Sequence, residues 1–213
     1  MTGHAAECMK NLPSAQECSR IFRAAAMLDA MLSPEWDYRY YSYNAKWYEE
    51  EEMASLRDGE GSHYFAQFAQ DRLTIKGFDR ERAELGSSAI GVDAVPAEVS
   101  EFLREPAFMG DETTFCLWNL PESPGWSADK LYTEQDCRLL RVLTGEAAYY
   151  CQWAAEYYET ELDPRAVARI FALEPLTSEL LGLFTDELSL AELEEDLEEI
   201  GYPIGGKGEA NSK

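Results

Sequence analysis

Apolar residues recur at helical spacing early in the chain, where Ile21, Phe22, Ala25, Leu28 and Leu32 share one face. Ser14 stands three residues before Glu17, a capping-box pattern, so a helix is predicted over residues 15–31. Ser33-Pro34 stops it, because proline disfavours helical geometry in the residue before it. From Tyr38 the pattern becomes alternation: Tyr38, Tyr40 and Ser42 against Arg39, Tyr41 and Tyr43, an aromatic-rich segment suited to a pleated surface. Three more short runs follow, at 51–57, 63–68 and 73–78, separated by Asp58-Gly59-Glu60-Gly61 and Gln70-Asp71-Arg72 as turns. These connections are too short for parallel crossovers, so the four segments read as an antiparallel meander.

Residues 80–94 read as an irregular loop with Gly86, Ser87, Ser88 and Gly91. Pro96 then opens a short helix over 97–104, with Val99, Phe102 and Leu103 on one side. Residues 113–118 form a fifth strand, and 120–126, with Pro121, Pro124 and Gly125, a linker or an ordered surface loop. Past Leu139 the chain is helical. Residues 145–160 carry Ala148, Cys151, Ala155 and Tyr158 on one stripe, and Asp163 before Pro164 is an N-cap that starts a helix over 164–173. A short helix covers 177–185, and Ser189 with Glu192 repeats the capping box for a last one. There Leu190, Leu193, Leu197 and Ile200 form a docking stripe among positions that are nearly all acidic. The expected fold is α+β: an antiparallel sheet of four to six strands, an N-terminal helix and a helical C-terminal part. One domain is expected over 1–204, sheet-rich at 36–119 and helical at 139–202, with a glycine-rich, polar, disordered tail at 205–213.

Charge changes this picture most. Asp and Glu number 41 against 18 Lys and Arg, a formal net charge of -23, and residues 146–202 hold much of it, with only Arg165 and Arg169 as bases. Such a surface repels phosphate backbones and anionic lipid, and attracts cations and basic proteins. Nucleic acid and membrane are therefore excluded as partners. With 46% hydrophobic and 12% aromatic residues the charge decorates a folded body. The apolar run at 24–32 is broken by Asp29 and is about half the length a bilayer requires, and residues 1–13 lack the features of a secretory signal, so a soluble, cytoplasmic protein is expected. Five cysteines, Cys8, Cys18, Cys116, Cys137 and Cys151, form an odd set without C-x-x-C spacing, which reads as free thiols in a reducing compartment.

No arrangement specifies a reaction. The two histidines are His4 and His63, and His63 reads as a turn or edge-strand residue at the start of its run. Gly201, Gly205, Gly206 and Gly208 follow the last helix, so no phosphate-binding loop precedes a helix, and neither acidic cluster has the layout of a calcium loop. No catalytic residue, cofactor or metal ligand is nominated. A partner surface is: Glu194, Glu195, Asp196, Glu198 and Glu199 as an acidic face, with Tyr149, Trp153 and Tyr157 as aromatic anchors. The plain alternatives are a solvated helix face and an aromatic core between helix and sheet.

The segments Tyr38-Arg39-Tyr40-Tyr41-Ser42-Tyr43-Asn44, Met53-Ala54-Ser55-Leu56-Arg57-Asp58-Gly59 and Ile75-Lys76-Gly77-Phe78-Asp79 resemble a family of uncharacterised bacterial proteins. So do Phe102-Leu103-Arg104-Glu105-Pro106-Ala107-Phe108, Thr114-Phe115-Cys116-Leu117-Trp118 and Glu198-Glu199-Ile200-Gly201-Tyr202-Pro203. In general character the chain is similar to immunity proteins of bacterial toxin systems, which implies a non-enzymatic inhibitor of a basic toxin, monomeric or homodimeric. Two other readings stand beside it: an enzyme using carboxylates, with or without a divalent metal, and a subunit that dimerises through exposed rings. An enzyme should present a deep cleft with converging carboxylates of raised pKa, whereas a binder should show an acidic surface rimming aromatics.

Overall fold

Ser14 caps the first helix as its spacing predicts: in the computed structural model its hydroxyl accepts from the Glu17 amide at 3.3 Å, opening α1 (Ala15–Leu32). The structure describes residues 8–86, 90, 95–105, 108, 113–123, 125–129, 132–133 and 135–205. Six strands follow the chain in order, β1 (Tyr41–Tyr48), β2 (Glu51–Arg57), β3 (His63–Ala69), β4 (Arg72–Phe78), β5 (Phe115–Asn119) and β6 (Trp126–Ala128). They pair in that same order as one antiparallel sheet, so the fold is α+β.

Register explains which side is core. Tyr43, Ala54, Ala66, Ile75 and Leu117 pair successively across β1 to β5, and all five are buried against α1 and the C-terminal helices. The alternate row, Phe65, Lys76 and Cys116, faces the other way and lies under α3 (Ala97–Arg104). Val99 and Leu103 of that helix pack on Cys116 and Trp118, and Phe102 clusters with Met53 and Phe108. Gly77 is required where β4 meets β5, since a Cβ there would lie 2.2 Å from the Phe115 ring.

The segment expected as a loop at 80–94 contains α2 (Arg80–Glu84), capped by Asp79 accepting from the Arg82 amide; residues 87–89 and 91–94 lie outside the described residues. Five residues are too few for a helical period to show. Of the segment expected as linker or loop, Trp126 opens the sixth strand and anchors it by donating from its indole nitrogen to the Pro13 carbonyl at 2.7 Å.

The C-terminal helices are α4 (Ala147–Tyr157), α5 (Pro164–Phe171), α6 (Ser178–Leu181) and α7 (Glu194–Ile200). In α4 the expected stripe is displaced. Tyr150 and Ala154 are buried, Ala148 and Ala155 exposed, because turning a tyrosine inward removes more apolar area from water than turning an alanine inward. The capping box before α7 forms, with the Glu192 carboxylate accepting from the Ser189 amide at 2.9 Å, and Leu193, Leu197 and Ile200 are buried as the spacing requires.

The expectation of five free thiols is corrected: Cys8 and Cys137, 129 residues apart, form a disulfide, while Cys18 and Cys116 are buried thiols and Cys151 is half-buried. Pairing over that distance is created by the fold, which sets residue 8 against the turn Gln135–Arg138, and leaves no mark in local spacing. No helix among the described residues is long and apolar enough to cross a membrane. The Gly205 amide donates to the Leu176 carbonyl at 2.9 Å; the rest of the tail expected to be disordered, 206–213, lies outside the described residues.

Candidate functional site

The nominated residues gather on the two sides of one short segment, the 3-10 turn Trp36–Tyr38 that leads into β1. This turn forms because Pro34 has just ended α1 and the chain must reverse to meet the sheet. Asp29, fully buried near the end of α1, fixes the reversal. Its carboxylate accepts from the amides of Tyr40 at 2.9 Å and Tyr41 at 2.7 Å, and from the Tyr150 hydroxyl at 2.5 Å. One side chain thereby joins α1, β1 and α4. Burial pushes the Asp29 carboxyl up to about 7, against the downward pull of hydrogen bonds from Tyr150, Tyr41, Tyr158 and Tyr40.

Around this hub the α4 rings form a cluster. Trp153 lies 4.7 Å from Tyr40 and 5.2 Å from both Tyr41 and Tyr150, and stacks on Tyr157 at 5.3 Å. Trp153 is thus half-buried cluster core, and Tyr149 lies to one side beneath the Arg141 guanidinium at 5.0 Å. Tyr157 reaches the surface at 38% exposure, and its hydroxyl donates to the Tyr38 carbonyl at 3.2 Å. Tyr38 and Trp36 beside it are 63% and 44% exposed, and Trp36 carries the Arg57 guanidinium 4.0 Å above its ring. Trp36 and Tyr38 thus stand exposed on the turn and Tyr157 is tied to it by that hydrogen bond, with Glu35 and Asp37 on the turn and Asp58 after β2 as nearby carboxylates; these three rings are termed the ledge.

On the other side stands α7. Glu194 and Glu195 are exposed, and so are Glu198 and Glu199, which reach β1 at the surface: Glu198 pairs with Lys46 at 2.7 Å and Glu199 accepts from the Asn44 amide at 3.3 Å, while Asp196, half-buried, holds Arg39 just before β1 through both oxygens. The Arg39 pair is almost enclosed, and its guanidinium also donates to the Ser33 and Pro34 carbonyls, so it works as a clamp. Trp36 shares a shallow hollow with Asp196 and Glu199, which joins α7 to the ledge. Trp36, Tyr38 and Asp58 were not nominated from sequence. The signal available was the aromatic density just after Pro34, which reads equally well as the start of a strand.

No family model, curated protein or solved structure matches this chain. Its chemistry is therefore read from the residues alone. Asp136, like Asp29, has its carboxyl raised by burial, and it too is sealed: both oxygens accept from Arg82 at 2.6 Å, and one also from the Thr133 amide at 2.6 Å. A cleft of about 980 Å³ runs beside the start of α1 past Glu50 and Asp71. In its wall Glu52 is engaged by Arg23 at 3.0 Å and by the Tyr43 hydroxyl, and Ser19 lies 2.8 Å from that hydroxyl. Burial raises the Tyr43 phenol further above its ordinary value, the direction away from a proton donor at neutral pH. His63 stacks on Phe78 at 5.5 Å in β3. Among the described residues no group of three or more His, Cys, Asp or Glu is placed to hold a metal ion.

Proposed function

We propose that this is a non-enzymatic acidic binding protein that engages a basic protein, in the manner of an immunity protein covering the active site of a cationic toxin. The observation that supports it best is the ledge of Trp36, Tyr38 and Tyr157, exposed rings on and beside one turn that also carries Glu35 and Asp37. That is the anatomy of a protein-interaction surface: large anchors for desolvated contact, and surrounding charge that steers a basic partner and rejects an acidic one. Glu194 and Glu195 extend the negative field along α7, while Asp196 is taken up by the Arg39 clamp that holds the helix in place. A nuclease-type toxin must be positive where it holds phosphates, so an acidic cover competes for the same field. Bacterial origin and a cytoplasmic setting follow from that partner, and there the Cys8–Cys137 bond would be exposed to reduction. Against the enzyme reading, the two carboxyls raised by burial are both fully enclosed and already engaged.

The test is capture of partners from cells that make this protein, at low salt and then with rising salt, using the wild type beside Trp36→Ala and Tyr157→Ala. A basic protein released by salt and lost from both variants supports the reading. Capture that ignores both substitutions removes the ledge as the interface.

A further inference from the structure

The segment before α1 is fastened to a distant turn by one covalent bond. Residues 8–11 make a single helical turn, with the Asn11 amide donating to the Cys8 carbonyl at 3.1 Å and the Leu12 amide to that of Met9 at 3.3 Å. One such turn does not sustain itself in water. What holds it to the body is the Cys8–Cys137 disulfide, the Met9 side chain in the core, Leu12 packed at the core's edge, and the Trp126 indole that donates to the Pro13 carbonyl at 2.7 Å.

The far side of the disulfide is fixed independently of it. In the turn Gln135–Arg138, Asp136 is fully buried with both oxygens on Arg82 at 2.6 Å, and Arg138 meets Asp79 at 3.1 Å. Opening the bond therefore leaves the turn in place and frees the segment, since one buried methionine and one half-buried leucine do not outweigh the cost of ordering its backbone. Both sulfurs can be reached, because Cys8 and Cys137 are half-buried, whereas the thiols of Cys18 and Cys116 are enclosed. The Tyr132 hydroxyl stands 3.4 Å from the Cys8 sulfur and 3.2 Å from that of Cys137, so whichever leaves as a thiolate has a donor at hand.

We propose that this disulfide is a redox latch, which a dithiol reductant opens so that residues 8–13 leave the turn Gln135–Arg138 and release β6. A thiolate of the reductant attacks one sulfur, forming a mixed disulfide and expelling the other cysteine as a thiolate that takes up a proton. The second thiol of the reductant then displaces the first cysteine, so two electrons pass from dithiol to disulfide and two cysteine thiols remain. β6 is a three-residue strand at the sheet edge, and without the Trp126 anchor its tie to β5 loosens.

Hydrogen–deuterium exchange of the full chain, oxidised and after dithiothreitol, tests this, with iodoacetamide and mass spectrometry identifying the thiols released. Reduction should free Cys8 and Cys137 together. Amides at 8–12 and in β6 should then exchange at least about tenfold faster, while those of β2 and β3 keep their rates. Cys8→Ser should show the fast exchange with or without dithiothreitol, and Cys151→Ser the full response of the wild type. Tyr132→Phe should slow the reduction about tenfold, the worth of a hydrogen bond to a charged group. Equal exchange in the two states, a loosening spread evenly over the sheet, or a bond that dithiothreitol leaves intact each overturns the latch, and reduction of Tyr132→Phe at the wild-type rate overturns the part given to that hydroxyl.

Discussion

Replacing Asp29 with asparagine removes a buried charge while keeping the side chain's shape, and the sign of its effect with pH follows from the hub geometry. The carboxyl titrates at about 7 in the fold against 3.8 ordinarily, so the folded chain holds the proton more tightly than the unfolded one. This raised pKa contributes no penalty below about pH 4. The penalty grows as pH rises toward 7 and is then constant at roughly 4 kcal/mol, since each tenfold change in proton affinity is worth about 1.4 kcal/mol. Asp29→Asn has no such titration. It loses charge-assisted bonds, and one of its amide hydrogens meets the donors from Tyr40, Tyr41 or Tyr150, which lowers its stability at every pH. The difference between variant and wild type should nevertheless move in the variant's favour by about 3 kcal/mol between pH 5 and pH 8. Urea unfolding followed by tryptophan fluorescence at intervals of pH reads this directly, starting above the sequence isoelectric point of 4.3 where the chain is soluble enough to measure. A difference that stays flat across that window would refute the claim that burial outweighs the four hydrogen bonds at Asp29.

Lys76→Met should leave stability near pH 7 within about 1 kcal/mol of wild type, because the lysine's desolvation, which lowers its pKa to about 8, offsets its hydrogen bond to the Phe102 carbonyl and its contacts with the Phe102 and Phe108 rings. A lowered lysine pKa makes wild-type stability rise as pH passes from 8 toward the ordinary value of 10.5, and the same urea series should show that rise vanish in the variant. Gly77→Ala should cost about 3 kcal/mol, since the new methyl meets the fully buried Phe115 ring, and a thermal melt by circular dichroism reads it. Cys137→Ser should lose about 2 to 4 kcal/mol, and a reductant should lower the wild-type melting temperature toward that of the variant.

Periodic elements were the legible part of the chain. The boundaries of β2 and α3 match expectation, β3, β4 and α1 differ by one residue at one end, and β5 differs by two residues at its start and one at its end, because each has both a pattern and a punctuating turn or cap. What escaped was either short or distant. Trp126 opens a three-residue strand behind a proline and a glycine, where alternation has no room to show, and Cys8 meets Cys137 through the fold alone. Of the nominated residues, the rings of α4 and the acids of α7 reach the start of β1 from different sides: Glu198 and Glu199 contact β1, Asp196 holds Arg39 before it, and Trp153 is half-buried in the ring cluster. Alternation had assigned Tyr38 to a strand, whereas it closes the turn Trp36–Tyr38 before β1, since sequence cannot tell a ring that packs from one that waits at the surface.

The measurement that bears most directly on the central claim is affinity of the captured basic partner for the wild type, Tyr157→Ala and Trp47→Ala across a salt series. The account predicts at least about a tenfold loss for Tyr157→Ala, the behaviour of a central aromatic anchor, no loss for Trp47→Ala on the α3 side of the sheet, where its ring meets Phe108, and weaker binding for all three proteins as salt rises. Equal affinities for wild type and Tyr157→Ala, or binding indifferent to salt, would contradict it.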